Sequence, residues 1–504
     1  MKKIKPVFLF LATIIMAGCY KDLGNYTYKE INDIAISNIA PQYTMMFKDT
    51  LRIKPKLDFL LDKGDTGKYS YEWTIFFLDD INETNNKLIA TTRDLEYEVT
   101  AKVGKYKAWL RVRDNATGVQ YQQEFKLTIQ SKVYEGWLVL SDVNGMARLD
   151  MVSVLPAPIG ETMITDLLTF TNSGLIPQKG PRAIKLMNDA FKGKTALYLL
   201  TNDGTNKLSA DDFTWQTTGA IRYEMLGPPP AGFAPKMMDI SYSTYCMMSD
   251  DLLYIQYPTF GLGYGAPQNK MAGISTPVKL APFIGKPNSS LSNWVVFYDT
   301  ERRWFVRLDG TKDAGVDSIP TPSNALLSYK TGKDLVYMQN ATFNQNDIFA
   351  ILKDPGQPVH YLFRMSVDGY PSVFRQNQFT QISTNTGDIA HAQYFAVGHE
   401  LGYVLYAVGG KIYEYDINYN THHLMADLGT EMISRLKVIN VGVSKPEYKE
   451  YTNGLLVGSY DPAGPAGSNG KLRVYKMPPR NEPFQLYKSY AGFGKVIDME
   501  YRTR

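Results

Sequence analysis

The sequence predicts an all-β chain in two parts, an immunoglobulin-like sandwich over residues 31–131 and a seven-bladed β-propeller over residues 132–504. Two patterns carry that prediction. Over about 100 residues, short segments of alternating apolar and polar side chains are separated by turn-formers, the period-2 signal of half-buried strands. After Ser131 the rhythm becomes apolar strand, Gly/Asn/Asp turn, second strand, with turns near residues 144, 203, 258, 301, 356, 409 and 464. An interval of roughly 53 residues holds one four-stranded blade with its loops, and seven units fall within the usual range of about 4 to 8 blades. Because the units share hydropathy and no repeated signature, a long irregular sandwich is the alternative for this part. Composition agrees with β-structure: 35 Tyr and 23 Phe stand against 5 His and 2 Cys, which favours aromatic packing over metal chemistry.

At the start of the chain, Lys2, Lys3 and Lys5 precede a mostly apolar run from Pro6 to Ala17, the layout of a secretory signal peptide. The run is about 12 residues long, too short for a bilayer span, which takes roughly 20. It ends in Met16-Ala17-Gly18-Cys19, which resembles the lipobox of bacterial lipoproteins. That resemblance implies a signal peptide over residues 1–18, lipidation of Cys19 and a lipidated tether over residues 19–30. Several acyl chains on one residue give firm anchoring where a single chain does not. The alternative is an ordinary signal peptide that happens to hold a cysteine. Next, Tyr20-Lys21-Asp22 is similar to the surface-export signal of Bacteroidetes lipoproteins, with fewer acidic residues than that signal usually carries. It implies an outer-membrane location, lipid-anchored and facing the cell exterior, with the periplasmic face as the alternative.

Loss of residues 1–18 removes three lysines and lowers the formal charge from +4 to +1. Nothing in that balance suggests a polyanion-binding surface, and no nucleic-acid partner is expected. Once Cys19 is acylated, Cys246 has no mate within the chain, so stability must come from the core and not from a disulfide.

The sandwich strands read "TLRIKPKL", "YSYEWTIFF", "LEYEVTA", "KYKAWLRVRD" and "YQQEFKLTIQ". Tyr106, Ala108, Leu110 and Val112 share one face of their strand, and Trp73 lies mid-strand. The pattern Tyr71-x-Trp73 followed by Gly104-x-Tyr106-x-Ala108-x-Leu110-x-Val112-x-Asp114 resembles the PKD fold as found in the PKD-like lipoproteins of Bacteroidetes. Trp73, Trp109 and Tyr106 suit either a sugar platform or, as the simpler assignment, core filling with a corner contact.

The propeller units begin with "WLVLSDVNGMARLDMV" and "ALYLLTNDGTNKLS", and the third, "LLYIQYPTFGLGYG", is the weakest. The last strand, "KVIDMEYRTR", is placed to pair into the first blade and close the ring, removing open edges. The join around Gly136-Trp137-Leu138-Val139-Leu140, Asn144-Gly145 and Leu149-Asp150 also resembles the PKD-like lipoprotein family. Membership would imply company with an outer-membrane TonB-dependent importer and its lid lipoprotein, and a role in capturing oligosaccharide or peptide.

Catalytic patterns fail on inspection. There is no Gly-x-Ser-x-Gly elbow and no His-Glu-x-x-His. Adjacent His422 and His423 must point to opposite faces of a strand, so they cannot share a metal with His391 and His399. "GLGYG" lacks the following helix and Lys-Ser/Thr of a phosphate loop. Asp211 and Asp212 in "SADDF" offer the paired carboxylates of a glycosidase, but adjacent acids in a polar loop are more simply solvated. No cofactor, metal or catalytic residue is expected. Two loops are of more interest. "YPTFGLGYGAPQNK" joins Tyr257, Phe260 and Tyr264 to the amides Gln268 and Asn269, a mixture that stacks on sugars or grips extended peptide. "GPPPAGFAPK", from Gly227 to Lys236, is stiffened by its prolines and suits a docking edge. The expected function is therefore a non-catalytic surface lipoprotein that binds ligand or docks beside an importer. The alternatives are a polysaccharide hydrolase or lyase, marked by acids converging at the propeller's axial mouth, and a purely structural or adhesive protein.

Overall fold

A computed structural model describes residues 31–503 apart from 65–66, 79–85, 156–159, 190–193, 243, 258–260, 289–293, 310–314, 370–371, 385–386, 440, 442–445 and 480. Cys19 and the export signal therefore lie outside the described residues, as does Phe260. The chain divides into two compact units, Met1–Ser131 and Lys132–Arg504.

In the first unit a five-stranded sheet runs in the order Gln42–Met46, Gln120–Gln130, Gly104–Asp114, Tyr69–Phe77, Lys87–Ala90, and two strand pairs complete the sandwich. Alternation decides which residues enter the core. Tyr106, Ala108, Leu110 and Val112 are buried on one face with Trp73, Phe125 and Leu127, while Trp109 occupies the opposite, half-exposed face. Trp73 donates its indole N–H to Thr92 O at 2.9 Å, and the Tyr106 hydroxyl donates to Lys102 O at 2.8 Å, a corner contact back to the strand's own entry. Trp73 and Tyr106 are thus core, and of the three aromatics singled out in the sequence Trp109 alone keeps a half-exposed ring.

The second unit is a seven-bladed β-propeller. Its seven sheets follow one another along the chain, and its described hydrophobic core falls into seven clusters, each shared by two neighbouring sheets. One cluster joins the seventh sheet to the first, packing Leu456 and Leu472 against Trp137, Val139 and Met499. The ring is therefore closed by packing as well as by pairing. Lys495–Arg502 is the inner strand of the first blade, antiparallel to Gly136–Val143 with Leu140 opposite Asp498 and Leu138 opposite Glu500. The inner strands of the second, third, fifth, sixth and seventh blades are Pro181–Asp189, Met237–Ser241, Asp334–Asn340, Tyr394–Val397 and Met432–Val438. Gly136 sits at φ 142°, and a Cβ there would collide with the Val152 carbonyl, so only glycine lets the first blade's central strands approach.

Three blades depart from four regular strands. In the fourth, the inner position is taken by an irregular segment bridged through Leu280 to Asp299 and Gly285 to Val296. In the second, the outer position is reduced to a bridge from Ala220 to Asn206. In the third it is taken by residues 265–268, whose Gly265 and Gln268 amides donate to Ile255 O and Leu253 O. One turn expected from the sequence moves. The third blade's hairpin lies at Asp250-Asp251, both with positive φ (48° and 65°), and Leu252–Gln256 is its third strand, so the turn is not near residue 258. An Asp-Asp pair adopts the left-handed conformation less readily than Asn-Gly, which is why its signal is weak.

Candidate axial binding site

Charged side chains on the inner strands gather around the propeller axis. Lys185 of the second blade and Lys286, just past the irregular inner segment of the fourth, each place an ammonium 3.0 Å from a separate oxygen of Asp239, on the third. On the other side of the ring, Arg435 and Lys437 of the seventh blade face Asp498 and Glu500 of the closing strand: Arg435–Asp498 3.2 Å, Lys437–Asp498 3.7 Å, Lys437–Glu500 2.8 Å. Lys437 also donates to Met499 O at 2.7 Å, and Asp498 accepts from the Ile184 amide at 3.2 Å. The belt thus runs through blades seven, one, two, three and four. Tyr337 of the fifth blade donates its hydroxyl to Gln339 at 2.5 Å, and its ring stacks on Phe395 of the sixth at 5.7 Å, so that part of the ring is neutral and aromatic.

The electrostatics follow from this geometry. Burial pushes the Asp239 carboxyl up, but Lys185 and Lys286 outweigh it and hold the acid well below its ordinary range. Asp498 behaves alike: burial raises it, and Lys437 with Arg435 brings it below the ordinary value. Asp239 keeps Lys185 protonated against the opposing cost of burial. These groups are not sealed in, for the side chains of Lys185, Lys286 and Asp239 are 31%, 30% and 25% exposed. A cavity of about 360 Å³ opens at the C-terminal ends of the inner strands, walled by Leu186, Val438, Ile439 and Tyr501 with Lys437, Glu500 and Arg502 among its polar groups. Arg502 donates to Val133 O and to Asp211 O and lies 4.6 Å over the Phe213 ring.

The residues expected to meet ligand lie elsewhere. Tyr264 is fully buried among Tyr198, Met247 and Tyr254, and its backbone bridges to the neighbouring loop through Tyr264 N to Glu224 O (2.7 Å) and Leu226 N to Tyr264 O (2.9 Å). Asn269 is 2% exposed; it accepts from the Leu253 amide and donates to Asp251 O and Val278 O. Gln268, 7% exposed, accepts from the Gly315 amide and donates to Ala266 O. Tyr257 is half-buried against the core between the third and fourth blades. These amides close backbone gaps in a blade that lacks a regular outer strand, and burial withdraws the Tyr264 ring and the Asn269 amide from the surface. The bridge joins the Tyr257–Lys270 loop to the residues just before the Gly227–Lys236 loop, with Leu226 and Leu262 exposed beside it.

The other candidates are also accounted for. The His422 ring lies between the Tyr406 hydroxyl and Ser383 O, each at 2.7 Å, whereas His423 meets Thr421 and Asn481 on the other face. Among the described residues no three His, Cys, Asp or Glu are grouped to hold a metal ion. Asp212 accepts from Thr214 N and Oγ1 at 3.2 and 2.8 Å; burial raises its carboxyl, but bonds from Ser209 and Thr214 outweigh it and bring it below its ordinary value. One acid was not signalled by the sequence. Glu414 is 1% exposed and pushed up to about 8, first by burial and then by Asp416, with no hydrogen-bond partner for Oε1 among the described residues. Such a shift suits a general acid, but so enclosed a group meets no substrate.

A model of the PKD-like family matches residues 19–177, a span that takes in the sandwich and the chain-order strands of the first blade. No curated protein matches the chain. Among solved structures, a quinoprotein alcohol dehydrogenase-like protein of Bacteroides thetaiotaomicron is similar at 10% identity over 93% of this chain and 96% of its own, with a TM-score of 0.42. Hsv2 of Kluyveromyces lactis is similar at 8% identity over 70% of this chain and 99% of its own, with a TM-score of 0.35. The propeller is read from its own strand order and core clusters, without help from these distant likenesses.

Proposed function

We propose that the protein is a non-catalytic, lipid-anchored lipoprotein of the bacterial outer membrane that captures an oligosaccharide or peptide as accessory to a TonB-dependent importer. The single observation that carries the non-catalytic part is the state of the axial acids. A hydrolase or lyase needs acids that converge on a mouth and are poised to exchange protons, one of them with a raised pKa. Here acids do converge, yet Asp239 and Asp498 are each held between two cations and shifted the other way. A carboxylate so stabilised gives up no proton and takes none near neutral pH. What is left is a rigid ring with a wet, charged axial cavity, which suits binding.

The anchoring and export parts rest on Met16-Ala17-Gly18-Cys19 and Tyr20-Lys21-Asp22, and the importer on the resemblance to the PKD-like family. Incubation of the mature chain with oligosaccharide and peptide pools, read by both retention and product release, tests the function. Retention of a pool component without new products is the expected result. Sustained product formation that survives repurification would overturn it in favour of an enzyme.

A further inference from the structure

We infer that the axial channel is a carboxylate-binding site, in which Lys185 and Lys286, held apart by Asp239, together receive the carboxylate of an acidic ligand. The inference rests on the proposed capture function and names the chemical class of what is captured.

Three observations lead there. First, the two ammoniums come from different blades and converge on one carboxylate, each 3.0 Å from its own oxygen. One proton of each lysine is thereby used, and the described residues give neither lysine a second ion-pair partner. An ammonium has three donors, so each retains donors for a further acceptor, and both side chains are about a third exposed. Second, the charges do not cancel. Lys185, Lys286, Arg435 and Lys437 stand against Asp239, Asp498 and Glu500. Within the Lys185–Asp239–Lys286 triad the excess is one positive charge; Lys437 is already held by Asp498, Glu500 and Met499 O, and Arg502, the further cation on the cavity wall, donates to Val133 O and Asp211 O. One negative charge restores balance, which favours a monoanionic carboxylate over a dianionic phosphate. Third, the site is reachable. The side chains of Lys185, Lys286 and Asp239 are 31%, 30% and 25% exposed, and Glu500, which lines the cavity, lies near enough to raise the proton affinity of Lys185. Around such partly buried side chains charges interact more strongly than on an open surface.

A carboxylate could come from an acidic sugar or from a peptide C-terminus, and the probes separate the two. Calorimetric titration of the mature chain would use galacturonate against galactose, and trialanine against its C-terminal amide. At least one carboxylate probe should bind, with its neutral counterpart at least tenfold weaker. K185Q and K286Q should each weaken that binding at least tenfold with little change in melting temperature. D239N, which removes the competing anion, should tighten it several-fold, an outcome that a merely structural role for the triad would not give. Should one variant fail to fold, the acid-against-neutral comparison on the unaltered chain still decides. Equal binding of the neutral partners, no binding of either acid, or acid binding indifferent to both lysine changes would each overturn the inference. Equal neutral binding would at the same time leave ligand capture itself standing.

Discussion

Tyr501, in the last strand of the ring, donates its hydroxyl to the carboxylate of Glu135, just before the first blade, at 2.8 Å, and both residues are buried. The Tyr501 ring also meets Trp137 at 4.5 Å and Tyr451 at 5.3 Å, so the two ends of the propeller and its seventh blade share one aromatic latch. A chain starting at Lys132 should therefore fold alone with β-type circular dichroism. Deleting the last ten residues from it should destabilise it sharply, because the first blade loses its inner strand. Tyr501→Phe, which leaves the ring and removes the bond, should cost about 1–3 kcal/mol, the range for a buried hydrogen bond to a charged group. Denaturant titration checks both, and indifference to the truncation would argue against closure by this strand.

Glu414 gives the fold a specific pH dependence. The folded state holds its proton up to about pH 8, whereas the unfolded chain releases it near the ordinary value of 4.5. The raised folded pKa means that the unfolded state gains as pH rises through this window, so stability falls between about pH 4.5 and 8 and levels off above. Glu414→Gln should flatten that slope and be the more stable form by roughly 1–3 kcal/mol at pH 8. Melting curves at pH 5, 6.5 and 8 would show it, and parallel slopes for the two proteins would contradict it.

Tyr264 should prove a stability residue. Its ring is fully buried between the second and third blades, and large aromatic truncations in cores cost about 3–5 kcal/mol. Tyr264→Ala should lower the melting temperature markedly, while any ligand affinity measured on the surviving folded fraction stays as it was. A lost affinity with an unchanged melting temperature would restore the loop as a binding surface.

The proposed anchoring rests on one sulfur, that of Cys19. Cys19→Ala should leave the protein unlipidated and free of the membrane fraction after a high-salt wash. Retention of that variant in the membrane would refute the lipobox assignment.

The parts of this molecule that local chemistry dictates were legible in the sequence. Asn144-Gly145 announces a hairpin because both residues accept positive φ, and the structure puts them at 53° and 81°. The face shared by Tyr106, Ala108, Leu110 and Val112 follows from alternation alone, and the closing strand from its position at the end of a seven-fold rhythm. What could not be read depends on tertiary partners. Tyr264, set among glycines, looks like an exposed loop aromatic until Glu224 bridges to it and the blade interface covers it. The ionic belt joins residues more than 300 positions apart, as in the Asp498 bond to Ile184. A faint signal did exist: Lys185, Asp239 and Lys286 recur about one repeat apart, the first two on inner strands and the third just past the irregular inner segment of the fourth blade. Aligning the repeats strand by strand would have exposed it.

The most direct measurement is co-isolation. If the proposed anchoring and role hold, the native protein, tagged at its C-terminus and extracted gently from outer membranes, should bring down an importer and its lid lipoprotein in near-stoichiometric amounts, and the Cys19→Ala form should not. Recovery of the anchored protein alone, under conditions that keep other outer-membrane complexes intact, would contradict an accessory role in import.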